Sequence, residues 1–156
     1  MGNSMIRAIQ VLPAGNWDRK KEADAIELSH DGRHRRRIVM KSAGGTEFLL
    51  DLADTAILRD GDGLALDDGR IVRVVAAAEP VAEISGEPKL IARIAWHLGN
   101  RHVPAEILPN RILIAHDHVL EEMVQSLGAR VRRIMSAFDP EPGAYHGHHH
   151  DHDHGH

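Results

Sequence analysis

The hydrophobic rhythm of the chain changes near its midpoint. In the first half apolar residues come in short runs: Ala25 to Leu28, Arg36 to Met40, Glu47 to Leu50 and Leu64 to Leu66. Turn formers separate the runs: His30-Asp31-Gly32, Ala43-Gly44-Gly45, Arg59-Asp60-Gly61-Asp62-Gly63 and Asp67-Asp68-Gly69. Short runs punctuated by Asp-Gly predict β-hairpins. Arg70 to Ala78 predicts the last strand of this unit, and Glu79-Pro80 breaks it.

The second half alternates between two periods. Val81 to Ile84 predicts a strand. Pro88 then opens a helix whose apolar stripe is Leu90, Ile91, Ile94, Ala95 and Leu98, with Gly99 as its C′ residue. Glu106 to Leu108 and Arg111 to Ile114 predict two strands about the turn Pro109-Asn110. Asp117 caps a second helix carrying Val119, Leu120, Met123, Val124 and Leu127, and Gly128 ends it. Val131 to Ser136 is the last strand. This order, β-α-β-β-α-β, is the ferredoxin-like split unit. Asp139 to Gly143 closes the folded part, and no apolar side chain follows Tyr145. Such a segment cannot offset its ordering entropy, so disorder is expected there in the free protein. The reading is an α+β chain: an all-β domain over 1–79, a ferredoxin-like domain over 80–140, and a disordered His-rich tail over 141–156.

Composition narrows the function classes. Nineteen basic against twenty-three acidic residues argue against bulk nucleic-acid binding. The basic run Arg33-His34-Arg35-Arg36-Arg37 leads straight into Ile38-Val39-Met40 and reads as an exposed strand start. There is no cysteine, so disulfides and thiolate sites are excluded. No apolar run approaches the roughly 18 residues of a membrane span. The opening MGNSMIRAIQ lacks a basic-then-apolar leader layout, which leads to the expectation of a cytoplasmic protein, with Met5 a second candidate start.

Histidine carries the candidate chemistry. Seven of thirteen sit in the tail: His146, His148, His149, His150, His152, His154 and His156. Neutral imidazole binds Ni(II), Zn(II), Cu(II) and Co(II), and His-rich tracts commonly do so. A purification handle is usually an unbroken run of His, whereas Gly147, Asp151, Asp153 and Gly155 interrupt this one. His97, His102, His116 and His118 lie in the second domain. His116 and His118 are spaced so that an extended segment would project both to one side, toward a single ion. They also fit exposed neighbours of the Asp117 cap. His97 fits a histidine at the core edge or a ligand. His102 fits an exposed loop residue, or, in a two-fold dimer through its loop, one of two facing ligands. His118 and Glu121 lie i, i+3 apart and could share a helix face. No nucleophile–base set and no phosphate loop accompany these residues, so no enzyme is expected. Asp60-Gly61-Asp62-Gly63 fails as a calcium loop, because the sixth position is Ala65 and the twelfth Ile71.

The blocks WHLGNRHVP (96–104) and HDHVLEEM (116–123), followed by a His-rich end, resemble the UreE family of urease accessory proteins. LRDGDGLALDDGRIVRVVAAAEPV in the first half is also similar. The resemblance implies a nickel metallochaperone with an N-terminal β domain of a partner- or peptide-binding type. It implies a homodimer formed through the second domain, a metal-linked pair of dimers being its extension. Delivery of nickel to apo-urease, alongside the accessory GTPase, is the implied task. His102 matches the family's interface ligand, His116 and His118 its peripheral ligands, and His97 a position of less defined role. The competing expectation is a general Ni, Zn or Co store with no tie to urease. Binding requires neutral imidazole, so acidification through about 6.5 is expected to release metal.

Overall fold

A computed structural model describes residues 5–142 of the chain. They divide into two compact units, with the boundary in the chain between Glu79 and Pro80.

The first unit is a six-stranded sheet. Its strands are β1 (Arg7–Leu12), β2 (Glu22–Leu28), β3 (His34–Lys41), β4 (Glu47–Ile57), β5 (Gly63–Leu66) and β6 (Ile71–Ala76), in the order β2-β6-β5-β1-β4-β3. Phe48, Leu50 and Leu52 alternate inward from β4, as the two-residue side-chain period requires. They join Ala8, Leu64 and Val74 in one core. The Asp-Gly turns behave as expected. Asp62 accepts hydrogen bonds from the Ala14 and Arg59 N–H groups, and Asp60 from the Ala76 N–H. Their carboxylates close backbone turns.

Hairpins are not the whole of it. β1, unmarked by any turn signal, runs parallel to β4, and β2 runs parallel to β6. Such pairings join strands far apart in sequence, which local punctuation does not report. His30-Asp31-Gly32 is not an open turn but part of a one-turn helix, α1 (His30–Arg33), whose N-cap Ser29 Oγ accepts from the Gly32 N–H. The basic run divides at this helix. Arg33 is fully buried, donating to the Leu28 and Leu58 carbonyls, while Arg35, Arg36 and Arg37 are exposed on β3.

Glu79-Pro80 does not break the chain as expected. Only Ala77 separates β6 from β7 (Ala78–Ser85), and the proline lies inside that strand. On one side of that strand the register with its neighbour begins only at Val81, so the missing N–H interrupts no pairing there.

The second unit follows the expected β-α-β-β-α-β order. β7 is followed by α2 (Pro88–Asn100), β8 (Ala105–Leu108), β9 (Arg111–Ala115), α3 (His118–Ser126) and β10 (Arg130–Ala137). The sheet order is β10-β7-β9-β8. Ile91, Ile94 and Leu98 form the buried stripe of α2, against Ile84, Ile112, Ile114 and Val124. Beyond β10, Phe138 packs on Val81 and Leu113, on the strands between the sheet's two edges. Among the described residues no helix is long and apolar enough to cross a membrane.

Candidate metal centre

Sheet register brings the candidate residues to one end of the second unit. Ala105 at the start of β8 pairs with Ile114 near the end of β9. The segment entering β8, with His102, and the segment leaving β9, with His116 and His118, therefore share that end of the sheet. The Glu141 N–H donates to the Ala105 carbonyl at 2.8 Å. The chain toward the tail thus departs beside the same strand. The tail histidines, His146 to His156, lie outside the described residues, as does the disorder expected of them.

His102 owes its position to how α2 ends. Gly99 stays helical, and the helix runs on to Asn100. The C′ position then falls on His102 rather than Gly99. The His102 N–H donates to the Gly99 carbonyl and the Val103 N–H to the Leu98 carbonyl, both at 3.0 Å. This is the Schellman pattern, and it lays Val103 against the core. That apolar contact selects the register over Gly99. The helix α3 ends in the same way: Gly128 N–H to Gln125 and Ala129 N–H to Val124. Gly128 takes φ of 108° there, and His102 takes φ of 58°, the one non-glycine residue at positive φ among those described. A side chain in that region costs about 1–2 kcal/mol relative to right-handed backbone. One helix thus ends on the residue suited to the geometry, and the other ends on an exposed imidazole.

His97 lies in the last turn of α2, half-buried, with its ring edge-on to Trp96 at 5.1 Å between centroids.

His116 and His118 are not placed alike. Asp117 caps α3 in extended backbone, its carboxylate accepting from the Leu120 N–H, so His118 is already helical while His116 precedes the cap. The two imidazoles take separate carboxylates. His118 Nε2 lies 3.1 Å from Glu122, both well exposed. The Nδ1 of His116 bonds Glu121 Oε2. Glu121, by its spacing a partner for His118, instead turns inward, only 5% exposed. It also accepts from the Asp117 N–H at 2.9 Å and from Arg133 Nε at 3.0 Å. Burial pushes its carboxyl upward. The bonds from His116, Arg133 and Asp117 outweigh that and hold it below its ordinary 4.5.

A carboxyl whose pKa falls on folding adds stability that is complete above its unfolded value and is lost as pH falls through its lowered folded value. The stability gap between wild type and Glu121→Gln is therefore expected to shrink on acidification from about pH 6 to about pH 3. Urea midpoints at the two pH values check this, and an unchanged gap would contradict it.

Among the described residues no group of three or more His, Asp or Glu is placed to hold a metal ion. Sequence reasoning missed the engagement of Glu121 by His116 and Arg133. Its one signal was an acidic residue in the first turn of a helix capped by Asp117.

Fold and site together define a class: a two-unit α+β protein that gathers histidines at one end of its second sheet. Comparison with known proteins makes the class specific. Residues 3–77 match the N-terminal domain model of the UreE urease accessory protein and residues 79–156 the C-terminal domain model. The urease accessory protein UreE of Bradyrhizobium sp. (strain ORS 278) is 53% identical over 142 residues, covering 90% of this chain and 67% of that protein. That of Rhodopseudomonas palustris (strain BisB18) is 54% identical over 142 residues, with the same coverage. That of Rhodobacter capsulatus is 49% identical over 141 residues, covering 90% and 87%. The chain belongs to the UreE urease accessory protein family.

Proposed function

We propose that this protein is a nickel carrier that hands Ni(II) to apo-urease during assembly of the urease active site. The observation that carries the reading is His102: an exposed imidazole held at a left-handed helix end where glycine would be less strained. Strained backbone of this kind persists only where the surrounding structure over-determines it, and it clusters at functional sites. Nickel is cargo here, and a carrier needs a site that opens. The described residues offer imidazoles singly or with one carboxylate. Remaining ligands for an ion on His102 come from a second copy of the chain, by two-fold symmetry, and from the tail. His146 follows Glu141 by five residues, enough chain to span up to about 17 Å from the bond to Ala105, a length that allows a tail imidazole to meet an ion on His102. Binding and dimerisation are then linked, each strengthening the other. His116 and His118 serve as peripheral ligands. The partners are the urease accessory GTPase and the apo-urease assembly complex.

The test is urease activation at limiting nickel, with apo-urease and its assembly factors supplied. Wild type is expected to raise the activity recovered, and His102→Ala to lose most of that gain. Full activation by His102→Ala would overturn the reading.

A further inference from the structure

We infer that Glu121 is a positioning residue that fixes the His116 ring in one tautomer, with Nε2 as the metal-binding nitrogen, making His116 the stronger of the two peripheral ligands. The inference rests on the reading of His116 as a nickel ligand.

Arg133 Nε–H donates to Glu121 Oε1 and the Asp117 N–H to Oε2, so both carboxylate oxygens are already acceptors. The carboxylate's partner on the imidazole, Nδ1, must then carry the proton. In neutral imidazole that leaves the lone pair on Nε2, the nitrogen directed away from the carboxylate. A ring bonded in this way to a carboxylate on one side and a metal on the other is a recurring unit of metal sites, in which the carboxylate orients the ring and raises its basicity. Glu121 suits that task because it cannot move far. Oε2 also accepts from the Asp117 N–H, Oε1 accepts from Arg133 of β10, and the residue is only 5% exposed. A carboxylate with only the imidazole to hold would not need this clamp.

His118 provides the contrast two residues away. Its contact is through Nε2, to Glu122, and the pair's side chains are 74% and 66% exposed. Among the described residues no second donor holds the Glu122 carboxylate, and both side chains face solvent. An ion at His118 must first displace or recruit that carboxylate and then order two exposed side chains. At His116 the ordering is already done.

Two measurements test this. Nitrogen-15 NMR of the metal-free wild type above pH 8 reads the tautomer directly: Nδ1–H at His116 is expected, and Nε2–H would overturn the inference. The second is nickel titration of the full chain carrying His116→Ala, His118→Ala or Glu121→Gln. Glu121→Gln is expected to weaken the His116-dependent site by about 10- to 100-fold and leave the tightest site unchanged, the range seen for loss of such supporting groups. His116→Ala should remove that site, and His118→Ala should weaken it less than Glu121→Gln does. If His116→Ala leaves the ions bound unaltered, the ligand reading itself fails. If His116→Ala removes a site that Glu121→Gln does not touch, positioning by Glu121 fails alone. Should Glu121→Gln not fold, the wild-type tautomer and the two alanine variants still decide the matter.

Discussion

Replacing His102 with glycine is expected to make the protein more stable and to remove its tightest nickel site in the same step. The two effects have one origin. His102 occupies the C′ position of a Schellman motif at φ of 58°, the place that Gly128 fills at the end of α3. Glycine there relieves about 1–2 kcal/mol of left-handed strain but adds entropy to the unfolded chain worth about 0.4–1 kcal/mol. The net gain is then about 0–1.6 kcal/mol, centred on about 0.8, which at its centre is a rise of several degrees in melting temperature for a unit of this size. Nickel affinity moves the opposite way. Loss of a direct ligand should exceed the 10- to 100-fold that loss of a supporting group costs, so a fall of roughly 100-fold or more is expected. Thermal melts and nickel titration on one preparation check both signs. A glycine variant that is less stable would show that the turn needs the imidazole for folding.

Phe48→Ala is expected to give the largest loss of stability and to leave nickel binding intact. Phe48 is fully buried at the centre of the first unit, among Leu50, Leu64 and Val74. Removing a buried phenyl ring leaves a cavity and costs about 3–5 kcal/mol, a large share of the 5–15 kcal/mol of a typical domain. Every histidine assigned a binding role within residues 5–142 lies in the second unit, which has its own core of Ile84, Ile94, Leu98, Ile112 and Ile114. Urea melts are therefore expected to show an early transition from the first unit, with the nickel isotherm retained below it. Nickel affinity that falls in step with stability would contradict the separation.

What was legible in the chain was mostly local. Asp117 and Gly128 bracket α3 as their chemistry predicts, because capping depends on a few adjacent residues. The end of α2 was misplaced for the converse reason. Gly99 looks like a helix stop, but packing of Val103 on the core moved the left-handed position to His102. The parallel pairs β1–β4 and β2–β6 carry no local mark at all. The candidate site was legible residue by residue and not as an arrangement. Nothing in the spacing says that His102 and His116 leave the sheet at one end, since that follows from the pairing of Ala105 with Ile114. Nor does the i, i+3 relation of His118 and Glu121 reveal that the carboxylate turns back past its own cap to His116.

The histidines at the sheet end thus have different settings: His102 on a strained turn, His116 on a clamped, buried carboxylate, His118 on an exposed one. The central claim is that His102 is the ligand on which the carrier depends. Nickel titration with the mass in solution measured alongside tests it most directly, using the wild type, His102→Ala and a chain ending at Gly143. The account predicts that the chain ending at Gly143 binds fewer ions but keeps the tightest site, whereas His102→Ala loses that site and any nickel-linked gain in mass. A His102→Ala variant that keeps the tightest site would contradict it.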